Sequence, residues 1–134
     1  HIIPEIQIII AKKLINELKK QYGEDTKGWW YKGVPTKVRL DVSKRREEEE
    51  GENNEQYFDL VHYSDIIYEN WDILGNTFGI KENKSDGKSK QLFWFIRLNN
   101  IRKKIAHPER GRITNEEFEF ISKLFEEIKK RLES

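Results

Sequence analysis

Apolar residues recur at steps of three and four along nearly the whole chain, and that period leaves room for little besides helices. In the first segment Ile3, Ile6, Ile10, Leu14, Leu18 and Tyr22 share one face, Pro4 suits a first turn and Gly23 a stop, so a helix is expected over 3–22. Ile2, Ile8 and Ile9 widen its apolar surface almost all the way round, which calls for central burial or for cover by a second subunit. Val38, Leu40 and Val42 alternate as in a strand, but no second convincing strand exists to pair with them. A second helix over about 36–50 is the better reading. Its charged run would supply pairs such as Arg45 with Glu49 and Arg46 with Glu50, the mark of a solvated face rather than of a metal site.

The remaining segments continue the pattern. Tyr63, Ile67, Trp71, Leu74 and Phe78 share the face of a third helix, with Ser64 and Asp65 offered as caps. Residues 81–90 read as a mobile loop. A fourth helix is expected from about Gln91 to Ala106 with Phe95, Leu98, Ile101 and Ile105 inward. A fifth follows the capping-box spacing of Thr114 and Glu117, with Phe118, Ile121, Leu124, Phe125, Ile128 and Leu132 inward. Gly28, Gly33 and Pro35 make 24–35 a loop whose rings, Trp29, Trp30 and Tyr31, fill the core. The expected fold is therefore all-α, an antiparallel up-and-down bundle of four to five helices in one domain over 1–134.

Composition narrows the function classes. Charged residues make up 37% of the chain, yet the apolar ones are clustered and periodic, which argues against disorder. A net charge of +1 marks neither a polyanion binder nor an acidic protein, so any nucleic-acid footprint must come from local clustering. There is no cysteine, which excludes disulfides, and His1, His62 and His107 are too scattered to suggest a metal site. With no glycine-rich phosphate loop, no cofactor is expected. Glu5, Gln7 and Lys12 interrupt the longest apolar cluster, so neither a signal core nor a membrane span is expected, and a cytoplasmic setting is the default. No Met occurs anywhere, so the chain is expected to be a domain cut from a longer protein, with His1 a tag remnant.

The chemistry concentrates in Leu98-Asn99-Asn100-Ile101-Arg102-Lys103-Lys104-Ile105-Ala106-His107-Pro108. Leu98, Ile101 and Ile105 face a core, which leaves Arg102 on the flank and His107 at the terminus. Pro108 disfavours helical dihedrals at His107 and lets it turn off the helical path, while Ala106 adds almost no bulk beside Arg102. A guanidinium and an imidazole can then converge on one small anion, and together they suit phosphodiester cleavage. Spacing alone favours a surface Arg paired with a Glu and a His that satisfies the last carbonyls, since Arg and His this close occur by chance in many helices. Lys103, Lys104, Arg110 and Arg112 add positive charge opposed only by Glu109, either to track a phosphate backbone or to complement the helix dipole.

Arg102-Lys103-Lys104-Ile105-Ala106-His107, at the end of the penultimate long helix, resembles the signature of the HEPN superfamily, in which Arg is followed after four to six residues by His. Gly28-Trp29-Trp30, Val34-Pro35, Tyr57-Phe58-Asp59-Leu60 and Asp65-Ile66-Ile67-Tyr68-Glu69-Asn70-Trp71 look like a HEPN subgroup found as a domain in RNA-processing and defence proteins. The resemblance implies a metal-independent endoribonuclease, in a toxin–antitoxin or antiviral setting, acting as a homodimer in which two motifs line one cleft. Arg102 would hold the scissile phosphate and His107 would be general acid or base for attack by the substrate 2′-OH. Lys103, Lys104, Arg110 and Arg112 would contact RNA, and fused domains or an antitoxin would be the other partners. Two positions depart from the pattern: Lys103 stands where active members often carry Asn, and Glu109 where a toxin variant carries Tyr. The alternative is a non-catalytic RNA-binding or dimerisation module of a larger protein.

Overall fold

The computed structural model describes residues 2–133; His1, read above as a tag remnant, and Ser134 lie outside the described residues. Among the described residues the chain is all-α. Its helices are α1 (Ile3–Tyr22), α2 (Thr36–Glu49), α3 (Leu60–Glu69), α4 (Trp71–Phe78), α5 (Lys88–Gln91), α6 (Phe93–Ala106) and α7 (Asn115–Leu132). A π-helical turn spans Thr26–Gly33, and 3₁₀ turns span Asn54–Tyr57 and Pro108–Arg110.

The periodic face of α1 lies at the centre of the bundle. Ile3, Ile6, Ile10, Leu14 and Leu18 are fully buried, against the π-helical turn, α7, α3 and α4. The chain thus covers most of the surface that invited a second subunit: Ile2 and Ile9 are partly buried and Ile8 remains exposed. In α2, Val38 and Val42 are buried while Leu40 points to solvent, which is the helical and not the strand pattern. The expected pairs along α2 do not form. Arg45 reaches Asp59 at 3.3 Å and Arg46 donates to Asn54 Oδ1 at 2.8 Å, so these cations hold the following loop instead of neighbouring glutamates.

The segment expected as a loop at 24–35 is helical over Thr26–Gly33. Asp25 caps it through its side chain, accepting from the Gly28 N–H at 2.9 Å. Gly28 packs so close to the end of α1 that a Cβ there would collide with the Tyr22 carbonyl oxygen. Trp29 and Trp30 fill the core as expected, with Trp30 leading on to Phe58 and Tyr63; Tyr31 is exposed beneath the Arg39 guanidinium.

The third helix starts earlier than expected and breaks in the middle. Asp59 caps α3, accepting from the His62 N–H at 2.9 Å, and the His62 ring closes the box by accepting from the Asp59 N–H at 3.1 Å. Ser64 and Asp65 are therefore inside the helix. With Nδ1 accepting, Nε2 carries the proton and donates to Asp41 at 3.0 Å, clipping α3 to α2 and holding the Asp41 carboxyl below its usual value. The break falls at Asn70. Its amide donates to the Gly33 and Ile66 carbonyls at 2.8 and 2.9 Å, and its oxygen accepts from the Tyr22 hydroxyl at 2.6 Å.

Residues 81–90 are folded back by Asp86, whose carboxylate accepts from the Glu82 and Asn83 N–H groups at 2.9 and 3.0 Å. One helical turn, α5, then precedes α6, which starts at Phe93 rather than Gln91. Helix α6 packs on α3 and buries Phe95, Leu98 and Ile101, and α7 packs on α1 and buries Ile121, Leu124, Ile128 and Leu132. Phe118, expected inward, is exposed. No described helix is long and apolar enough to cross a membrane.

Candidate functional site

The candidate site sits where α6 ends. Arg102 lies in the penultimate turn, partly buried, and its side chain is held from one turn earlier: Asn99 Oδ1 accepts from Nε at 3.3 Å and from Nη2 at 3.1 Å. Asn99 is itself buried. His107 is the C-cap residue, with φ −129° and ψ 74°, off the helical path as the following proline demands. Its backbone N–H donates to the Lys103 and Lys104 carbonyls at 3.0 and 3.3 Å, so the main chain closes the helix and leaves the imidazole for other work. The ring is about half exposed (47%), and its Nδ1 lies 3.3 Å from Glu109 Oε1.

The two residues thus share one end of one helix. Among the described residues no hydrogen bond joins Arg102 to His107; each is oriented by its own neighbour. Past His107 the 3₁₀ turn of Pro108–Arg110 is closed by Gly111, at φ 119°, which directs the chain toward the start of α7. There the expected capping box is present. Thr114 accepts from the Glu117 N–H at 3.1 Å, and Glu117 accepts from the Thr114 N–H at 3.0 Å.

Of the four cations expected to meet RNA, Lys104 is already engaged. Its ammonium lies 2.7 Å from Glu117 and, with the Thr114 N–H, holds that carboxyl below its usual value. This ion pair bridges the end of α6 and the start of α7. Lys103, Arg110 and Arg112 are exposed, and among the described residues none has a side-chain partner. Asn99 and Glu109 are the orienting residues that sequence reasoning did not assign. The available signal was spacing, since Asn99 precedes Arg102 by three residues and so neighbours it on a helix.

A groove of about 1120 Å³ runs between α6, α7 and the 80–90 segment, lined by Phe93, Trp94, Arg97 and Phe120 among others. It includes neither Arg102 nor His107, so the motif faces open surface rather than this hollow. Among the described residues no group of three or more His, Cys, Asp or Glu side chains is placed to hold a metal ion. Compared with family models, curated proteins and solved structures, the chain finds no match.

Proposed function

We propose that this chain is a HEPN-type endoribonuclease domain that cleaves RNA without a metal, using Arg102 and His107. The observation that carries the reading is an exposed imidazole turned off the end of the same helix whose last turns hold a pre-oriented guanidinium. With Nδ1 directed at Glu109, the ring offers Nε2 to substrate.

In the proposed reaction His107 takes the proton of the 2′-OH as that oxygen attacks phosphorus. The bond from phosphorus to the 5′-oxygen breaks, the leaving oxygen takes a proton from water, and His107 returns the proton it took to solvent. The products are a 2′,3′-cyclic phosphate and a 5′-hydroxyl, and DNA, lacking the 2′-OH, is not cut. Arg102 neutralises charge that builds on the non-bridging oxygens, which is usually the largest single contribution to such a rate. Proton transfer by His107 adds roughly a hundredfold to ten-thousandfold.

A homodimer with paired motifs fits the outer face of α6. Phe93 and Ile96 are exposed there and Lys103 follows at helical spacing, so a second copy seated along this face would cover the apolar end and bring two motifs together. The same exposed residues favour the second reading, a binding or dimerisation module without catalysis. The deciding experiment incubates wild type and His107→Ala with single-stranded and structured RNA in EDTA and analyses the product ends. Cyclic-phosphate ends that vanish in the variant support the ribonuclease; intact RNA with wild type, or undiminished cleavage by His107→Ala, sinks it.

A further inference from the structure

Resting on the ribonuclease reading, we propose that Asn99 is the positioning residue for Arg102, occupying one edge of its guanidinium with a neutral acceptor and leaving the other edge for phosphate. Asn99 is only 6% exposed and lies within α6, where asparagine is a poor helix former and a buried amide needs partners. Among the described residues its side chain hydrogen-bonds to Arg102 alone, through one oxygen to Nε and Nη2 at 3.3 and 3.1 Å.

The geometry divides the guanidinium. Its donors form two forks, one from Nε with the near Nη2 hydrogen and one from Nη1 with the outer Nη2 hydrogen. Asn99 fills the first. The second matches two phosphate oxygens. Among the described residues no carboxylate pairs with Arg102, so its charge is not cancelled before substrate arrives.

Residue type at 99 therefore matters in two separable ways. An apolar side chain of similar volume releases the guanidinium into many rotamers, and substrate must then order it. An aspartate keeps the acceptor and the orientation but places a negative charge against the group meant for phosphate.

The test compares wild type, Asn99→Leu, Asn99→Asp and Arg102→Ala by three readouts: proton exchange at arginine Nε–H by NMR, titration with inorganic phosphate, and RNA cleavage in EDTA with kcat and KM separated. One Nε–H signal, absent from Arg102→Ala, is expected to exchange slowly in wild type and Asn99→Asp and rapidly in Asn99→Leu. That signal should respond to phosphate about tenfold less readily in Asn99→Asp. Asn99→Leu should lose about a hundredfold in kcat with little change in KM, the cost of a misplaced group. An Nε–H equally slow in Asn99→Leu, or phosphate bound as tightly by Asn99→Asp as by wild type, overturns the assignment. RNA left intact by wild type overturns the ribonuclease reading instead, while the exchange and phosphate readouts still decide the role of Asn99. Should Asn99→Leu fail to fold, the phosphate comparison with Asn99→Asp still decides it.

Discussion

Asn70 concentrates two tertiary links and one local one in a single amide. Its oxygen holds the Tyr22 hydroxyl at the end of α1, and its nitrogen holds the last carbonyl of the π-helical turn, at Gly33, together with that of Ile66. Replacing it with alanine leaves the buried Gly33 carbonyl and the partly buried Tyr22 hydroxyl unpaired, so Asn70→Ala should cost about 1–3 kcal/mol in urea unfolding, with the slope of the transition unchanged. Nothing in the local sequence marked this residue, because its partners lie 37 and 48 positions away. Arg102 and His107 were legible for the opposite reason. Their placement depends on one helix and one proline, both of which are local. Asn99 falls between the two cases: its spacing to Arg102 is local, but only the tertiary packing of α6 makes it buried and so turns a common neighbour into a holder.

At the scale of elements, five helical stretches could be read because long amphipathic periods survive a wrong guess about any single residue. Their ends and breaks could not. The capping box of α7 has the usual Thr and Glu and was legible, whereas that of α3 has His62 in place of Glu or Gln and was missed. The two boxes also differ in what they do for the site, since Glu117 both caps α7 and receives Lys104 from the end of α6. Thr114→Ala should therefore cost about 1 kcal/mol, measured by thermal or urea unfolding. The pH dependence has a definite sign. The folded-state pKa of Glu117 is lowered, mainly by Lys104, so its contribution is present above the ordinary value of 4.5 and is lost as pH falls through the folded value. Glu117→Gln should flatten that acid limb of stability, whereas Glu119→Gln, with no ion pair among the described residues, should not. The π-helical turn was hidden by its two glycines, which read as loop signals. Gly28 is there because α1 passes too close for a Cβ, and Gly28→Ala should destabilise by about 1–3 kcal/mol through that collision.

Across the whole molecule, 25 cations nearly balance 24 carboxylates, so no global field draws RNA to the surface. Recognition under the proposed function must rest on the few cations left free beside the motif. Lys104 is held by Glu117, which leaves Lys103, Arg110 and Arg112 around Arg102 and His107. Each phosphate contact with a single strand contributes about −0.7 to the slope of log affinity against log salt. With the phosphate held by Arg102, four contacts give a slope of about −2.8, still shallow for a nucleic-acid binder, and Arg110→Ala with Arg112→Ala should reduce it by about 1.4. Lys104→Ala should instead lower stability and leave the slope almost unchanged, because its charge already serves α7. The chain offers a competing cationic surface in the exposed Lys81, which lines the α6–α7 groove, and Lys84 of the same segment. Measured by fluorescence anisotropy with a non-cleavable 2′-deoxy strand at several salt concentrations, a slope that follows Lys81→Ala with Lys84→Ala rather than the two arginines would place RNA on that surface. The Arg102 and His107 pair would then have no substrate to act on.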